Sequence, residues 1–110
     1  MSIDPTTLRF FETLNADASM QKELEAALQG TKDRNATIVE WAAARGYRFS
    51  RSSLEAAQGM LAVALHNQGA LDDSELEAVA GGLNPQPEPP SMMFKYSQTV
   101  QPAARKLILG

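Results

Sequence analysis

The chain contains no cysteine and a single histidine. The first absence excludes disulfides, thiolate metal sites and cysteine nucleophiles. The second leaves little room for a metal site or a Ser-His triad, and His66 itself reads as a solvated residue near a helix end. No apolar run is long enough to span a membrane. The N-terminus, MSIDPTTLRFF, has no cationic region followed by an apolar stretch, so no Sec-type signal is expected. A basic excess is also missing. The net charge is −3, which argues against nucleic acid as a partner. With 110 residues, the chain suffices for one small domain of modest stability, without covalent staples. Synthesis and folding in the cytoplasm are expected, with no membrane insertion and no cofactor of its own.

What is present is unevenly placed. Residues 1–82 hold seven Lys/Arg against twelve Asp/Glu, whereas residues 83–110 hold Lys95, Arg105 and Lys106 against Glu88 alone. An acidic domain therefore carries a mildly basic tail. Five of the six prolines also lie in that tail.

The first part has the periodicity of short helices. Asp4-Pro5 is a helix start, with Asp as N-cap and Pro at the first helical position. Leu8, Phe11 and Leu14 then share a face. Asp17 caps a second helix that turns Met20, Leu24 and Leu28 inward and ends at Gly30. After a polar TKDRN connection, a third helix is expected from about Ala36, with Ile38, Val39, Trp41 and Ala42 mostly buried and Gly46 as its stop. Tyr47 and Phe49 flank Arg48 in a short extended turn. Ser50 or Ser52 caps a fourth helix containing Leu54, Met60, Leu61, Val63 and Ala64. Gly59 inside it costs roughly 1 kcal/mol relative to Ala. Asn67-Gln68-Gly69 is a break.

The segment LDDSELEAVAGGL, Leu71 to Leu83, follows. Asp72 with Glu75 forms a capping-box arrangement, and Leu71 is placed as a hydrophobic staple. Leu76 and Val79 share a face, and Gly81-Gly82 ends the pattern. Beyond it, Pro85, Pro87, Pro89 and Pro90 impose an extended, polyproline-like segment. Met92, Met93, Phe94 and Tyr96 come next, and QPAARKLIL has the makings of a turn or two of helix. The expected fold is all-α: four to five short helices over residues 1–82, then a Pro-rich tail, 83–110, disordered when free.

Two segments resemble a known family. Ala43-Ala44-Arg45-Gly46-Tyr47-Arg48-Phe49-Ser50 with Leu54, and Leu71 to Gly82, are similar to the two signatures of Nif11-like leader peptides, which precede bacterial ribosomally synthesised, post-translationally modified peptides. The opening, with Leu8, Phe10 and Phe11 before an acidic second helix, also fits. The resemblance covers about residues 1–82 and implies a leader domain, a cleavage site after Gly81-Gly82 and a core peptide, 83–110. It implies two partners, a modifying enzyme that binds the leader and a peptidase-transporter that cuts and exports the core. Leu71, Glu75, Leu76, Val79, Tyr47 and Phe49 would then be recognition residues. The physical logic fits: a narrow protease cleft admits two glycines where side chains would clash, and an amphipathic helix docks in a groove.

The tail resembles spliceotide precursors, in which a Pro-x-Pro run precedes a Met-x-Lys-Tyr-Gly motif. In that family a radical S-adenosylmethionine enzyme excises a tyramine equivalent from the tyrosine. Here Lys95, Tyr96 and Ser97 are the candidate modified residues, with Ser97 standing where the family has Gly. Three outcomes stay open: the enzyme tolerates Ser, the site is inert, or the chemistry differs. Backbone N-methylation near Leu107-Ile108-Leu109-Gly110, as in split borosins, is the alternative, with an N-methyltransferase as partner. Without cysteine, no thioether ring or thiazole can form.

The chain is expected to be a substrate and not an enzyme. Glu12, Glu23, Glu25, Glu40 and Glu55 read as solvated helix faces, and Gly81-Gly82 lacks the Lys-Ser/Thr of a phosphate loop. A reading of a different class is an unprocessed helical interaction module with a Pro-rich binding tail.

Overall fold

A computed structural model of the protein describes residues 5–69, 72, 74 and 91–109. Among them are six helices: α1 (Pro5–Ala16), α2 (Ala18–Leu28), α3 (Arg34–Ala44), α4 (Arg51–Asn67), α5 (Ser91–Thr99) and α6 (Pro102–Leu109). The all-α expectation holds. The helix expected over 71–83 lies outside the described residues, as does Asp4.

The helix boundaries follow from local chemistry. Asp17, in an extended conformation, accepts the Met20 N–H at 3.1 Å and starts α2. Asp33 does the same for α3, accepting from Ala36 N–H at 3.2 Å. The third helix therefore begins at Arg34, two residues before the expected start, because the cap lies within the polar connection. A 2.6 Å ion pair from Arg51 also fastens Asp33 to the first turn of α4. At the other end of α3, Gly46 takes φ +90°. Its N–H reaches Ala43 O at 3.1 Å, while Tyr47 N–H reaches Ala42 O at 2.9 Å. These are the paired bonds of a Schellman stop. Of the two candidate caps for α4, Ser50 is the one used, accepting from Ser53 N–H at 3.0 Å.

The core forms where the apolar stripes meet. Leu8, Phe11 and Leu14 of α1 are buried as their spacing requires, and Phe10 joins them. The Phe10 ring lies 5.5 Å from Phe49, 5.6 Å from Tyr47 and 6.1 Å from Trp41, centroid to centroid. The turn after α3 thus wraps its aromatics around α1. Outside this cluster, the Arg45 guanidinium sits 3.8 Å above the Trp41 ring and pairs with Glu23 of α2. One buried polar contact links α1 to α4, with Thr7 Oγ1 and Ser53 Oγ 2.8 Å apart.

The expectation of a disordered tail is corrected for residues 91–109. They form α5 and α6, and both pack on the helices before them: α5 on α4, and α6 on α1, α2 and α4. Met93, Tyr96, Leu107 and Ile108 belong to the same hydrophobic cluster as Phe11 and Leu65. The physical reason is periodicity over short spans. Met93, Tyr96 and Ser97 fall on one side of α5, and Ala104, Leu107 and Ile108 on one side of α6. Helices of nine and eight residues are marginal alone, and tertiary packing of an apolar face stabilises them.

Candidate functional site

The candidate residues of the tail sit on α5. Lys95 is exposed, but the other two candidates, Tyr96 and Ser97, are not. Tyr96 is 4% exposed and Ser97 6%. The Tyr96 ring packs 6.0 Å from Phe11, and its hydroxyl donates to Phe11 O at 2.9 Å. Burial, reinforced by the nearby Glu12 carboxylate, pushes its phenol well above the ordinary tyrosine value. The Ser97 hydroxyl donates to Phe94 O at 2.7 Å and accepts from the Gln68 amide at the end of α4.

A crevice of about 290 Å³ opens between α1 and α5, lined by Glu12, Asn15, Lys95, Tyr96 and Thr99. It brings solvent to one edge of Tyr96. The main chain of that residue is nevertheless held inside the helix. Tyr96 O accepts from Val100 N–H at 2.8 Å and from Thr99 Oγ1 at 3.1 Å. Chemistry on the Tyr96 backbone therefore requires α5 to open first.

The end of the tail is held in a different way. The last carbonyls of a helix have no partner within it, and two of those in α6, Leu107 O and Ile108 O, are capped by side chains from far along the sequence. Arg34 Nη2 donates to Leu107 O at 2.6 Å, and Gln58 Nε2 donates to Ile108 O at 2.8 Å. Gln58 is itself fixed by exchange of amide hydrogen bonds with Asn35. Asn15 secures the link between the two tail helices, donating to Thr99 O at 3.2 Å and accepting from Gln101 N–H at 2.7 Å. Asn15, Arg34, Gln58 and Gln68 were not anticipated from the sequence. Polar residues on helix surfaces carry no signal of a distant partner.

Of the recognition residues, Phe49 is buried and Tyr47 is half-buried, its hydroxyl donating to Thr13 Oγ1 at 3.2 Å. Phe49 accordingly holds the turn onto α1. Leu71, Glu75, Leu76, Val79, Gly81 and Gly82 lie outside the described residues. The carboxylates Glu12, Glu23, Glu25, Glu40 and Glu55 are all exposed. His66 is half-buried in the last turn of α4. Among the described residues, no group of three or more His, Asp or Glu side chains is placed to hold a metal ion, and no helix is long and apolar enough to cross a membrane. No family model, curated protein or solved structure matches the chain.

Proposed function

We propose that the chain is the precursor of a ribosomally synthesised, post-translationally modified peptide. Residues 1–82 act as the leader that a modifying enzyme binds. Residues 83–110 are the substrate, and a peptidase-transporter cuts after Gly82. The observation that carries this reading is the Leu71 to Gly82 sequence, a capped amphipathic pattern ended by two glycines. It stands between a helical unit with its own aromatic core and a segment bearing the candidate residues. The mechanism is tethering: leader binding raises the effective concentration of the substrate segment at the active site, so that weak contacts to the segment suffice. The precursor is cytoplasmic, and the released peptide is exported.

Excision at Tyr96 by a radical S-adenosylmethionine enzyme is the first candidate chemistry. Backbone N-methylation toward Leu107-Ile108-Leu109 is the second. Both act on main-chain atoms that α5 and α6 enclose, so in either case the enzyme receives the segment unwound.

A second reading, an unprocessed helical interaction module, is favoured by one observation: residues 91–109 share the core of the helices before them. Replacement of Leu71, Leu76 and Val79 by Ala in the native host separates the two. The precursor reading expects loss of processing with the helical circular dichroism retained. Unchanged processing sinks it.

A further inference from the structure

We propose that the helical unit formed by α1 to α4 is a receptor for residues 91–109, and that it keeps hold of this segment after the chain between them is cut. The surface is built for that occupant. Its apolar part takes Met93, Tyr96, Leu107 and Ile108, each 8% exposed or less. Its polar part is a set of side chains that recognise main-chain groups of the segment. Asn15 reads Thr99 O and Gln101 N–H. Arg34 and Gln58 take the two carbonyls at the end of α6. The Phe11 carbonyl in turn receives the Tyr96 hydroxyl.

The polar contacts named above join residues 11–58 to residues 96–108. None uses the connection over 83–90, so a cut there removes the tether and leaves the binding groups in place. The tether raises the effective concentration of the segment at the surface. Without it, the segment is held by the surface alone.

Capping of main-chain carbonyls has a further consequence. It tolerates changes to side chains that face solvent, such as Lys95, Gln98 and Lys106, while requiring the segment to be helical. The unit would bind a helical, unmodified segment and reject one whose backbone has been altered within α5 or α6. The biological meaning of such sorting rests on the precursor reading, whereas the binding itself does not.

The test places the recognition site of a sequence-specific protease at 84–90 of the full chain and cuts the folded protein there. Because the cut is made by a foreign protease, its outcome is independent of whether the host cuts after Gly82. The expected result is co-elution of the two pieces in size-exclusion chromatography, with Tyr96 still buried by fluorescence. In a second chain carrying Asn15→Ala, Arg34→Ala and Gln58→Ala, the same cut is expected to speed release of the small piece at least tenfold. Separation of the pieces without denaturant overturns the proposal. So does equal retention by the triple variant, since the polar contacts would then recognise nothing.

Discussion

The hydroxyl of Tyr96 donates to the main-chain carbonyl of Phe11 at 2.9 Å, across 85 positions of sequence. The contact places the residue of greatest chemical interest in the tail against the first helix of the chain. Tyr96→Phe is expected to cost about 1 kcal/mol, the net worth of one neutral hydrogen bond. Tyr96→Ala is expected to cost about 3 kcal/mol or more, because it leaves a cavity beside Phe11. Urea denaturation followed by circular dichroism measures both. Equal, near-zero effects would mean that α5 is not docked in solution.

The same burial makes stability depend on alkaline pH. Tyr96 ionises near pH ~10 in the unfolded chain, and its folded value is raised above that by burial and then by Glu12. Above about pH 10 the unfolded chain releases a proton that the folded chain retains, so the contribution of Tyr96 to stability falls as pH rises from that point. Tyr96→Phe is expected to flatten this part of the curve. Urea midpoints between about pH 9 and about pH 11, a window around the ordinary tyrosine value, provide the comparison. An unchanged slope in the variant would assign the effect elsewhere.

The start of α4 offers a direct check on capping. Ser50 and Ser52 were equivalent candidates in the sequence, and Ser50 is the residue that accepts from Ser53 N–H. Ser50→Ala is expected to lower stability by about 1 kcal/mol, and Ser52→Ala, at an exposed helical position, by no more than ~0.5 kcal/mol. The reverse order in thermal or urea unfolding would contradict the assigned cap.

The part that was legible in the sequence is the part with local signals. Asp17, Ser50, Gly30 and Gly46 announce where helices begin and end, and Leu8, Phe11 and Leu14 announce which face is inward. Asp33 carried the same signal but was absorbed into a run of polar residues, which displaced the start of α3 by two positions. The tail helices are hard to read because four prolines at 85–90 stand directly before them. The i, i+3, i+4 spacing of Met93, Tyr96 and Ser97 was visible, yet two turns of helix make a weak pattern, and its partner surface is assembled from α1 and α4. The long-range contacts of Asn15, Arg34 and Gln58 depend on the tertiary arrangement alone.

Weakening the dock should act locally. Arg34→Ala or Gln58→Ala uncaps a carbonyl at the end of α6, so amide hydrogen exchange is expected to rise in α6 while α4 stays protected. If the precursor reading holds, the same variants should be modified faster, since the apparent affinity of an enzyme scales with the fraction of chain in the open form. Exchange rising equally in all helices would show that α6 belongs to one cooperative unit with the rest.

The central claim is that the chain is a leader joined to a substrate. Mass analysis of the protein taken from its native host tests it most directly. The account predicts cleavage after Gly82, or a mass change confined to residues 83–110. An intact, unmodified chain recovered in a stable complex would contradict it and establish the interaction module instead.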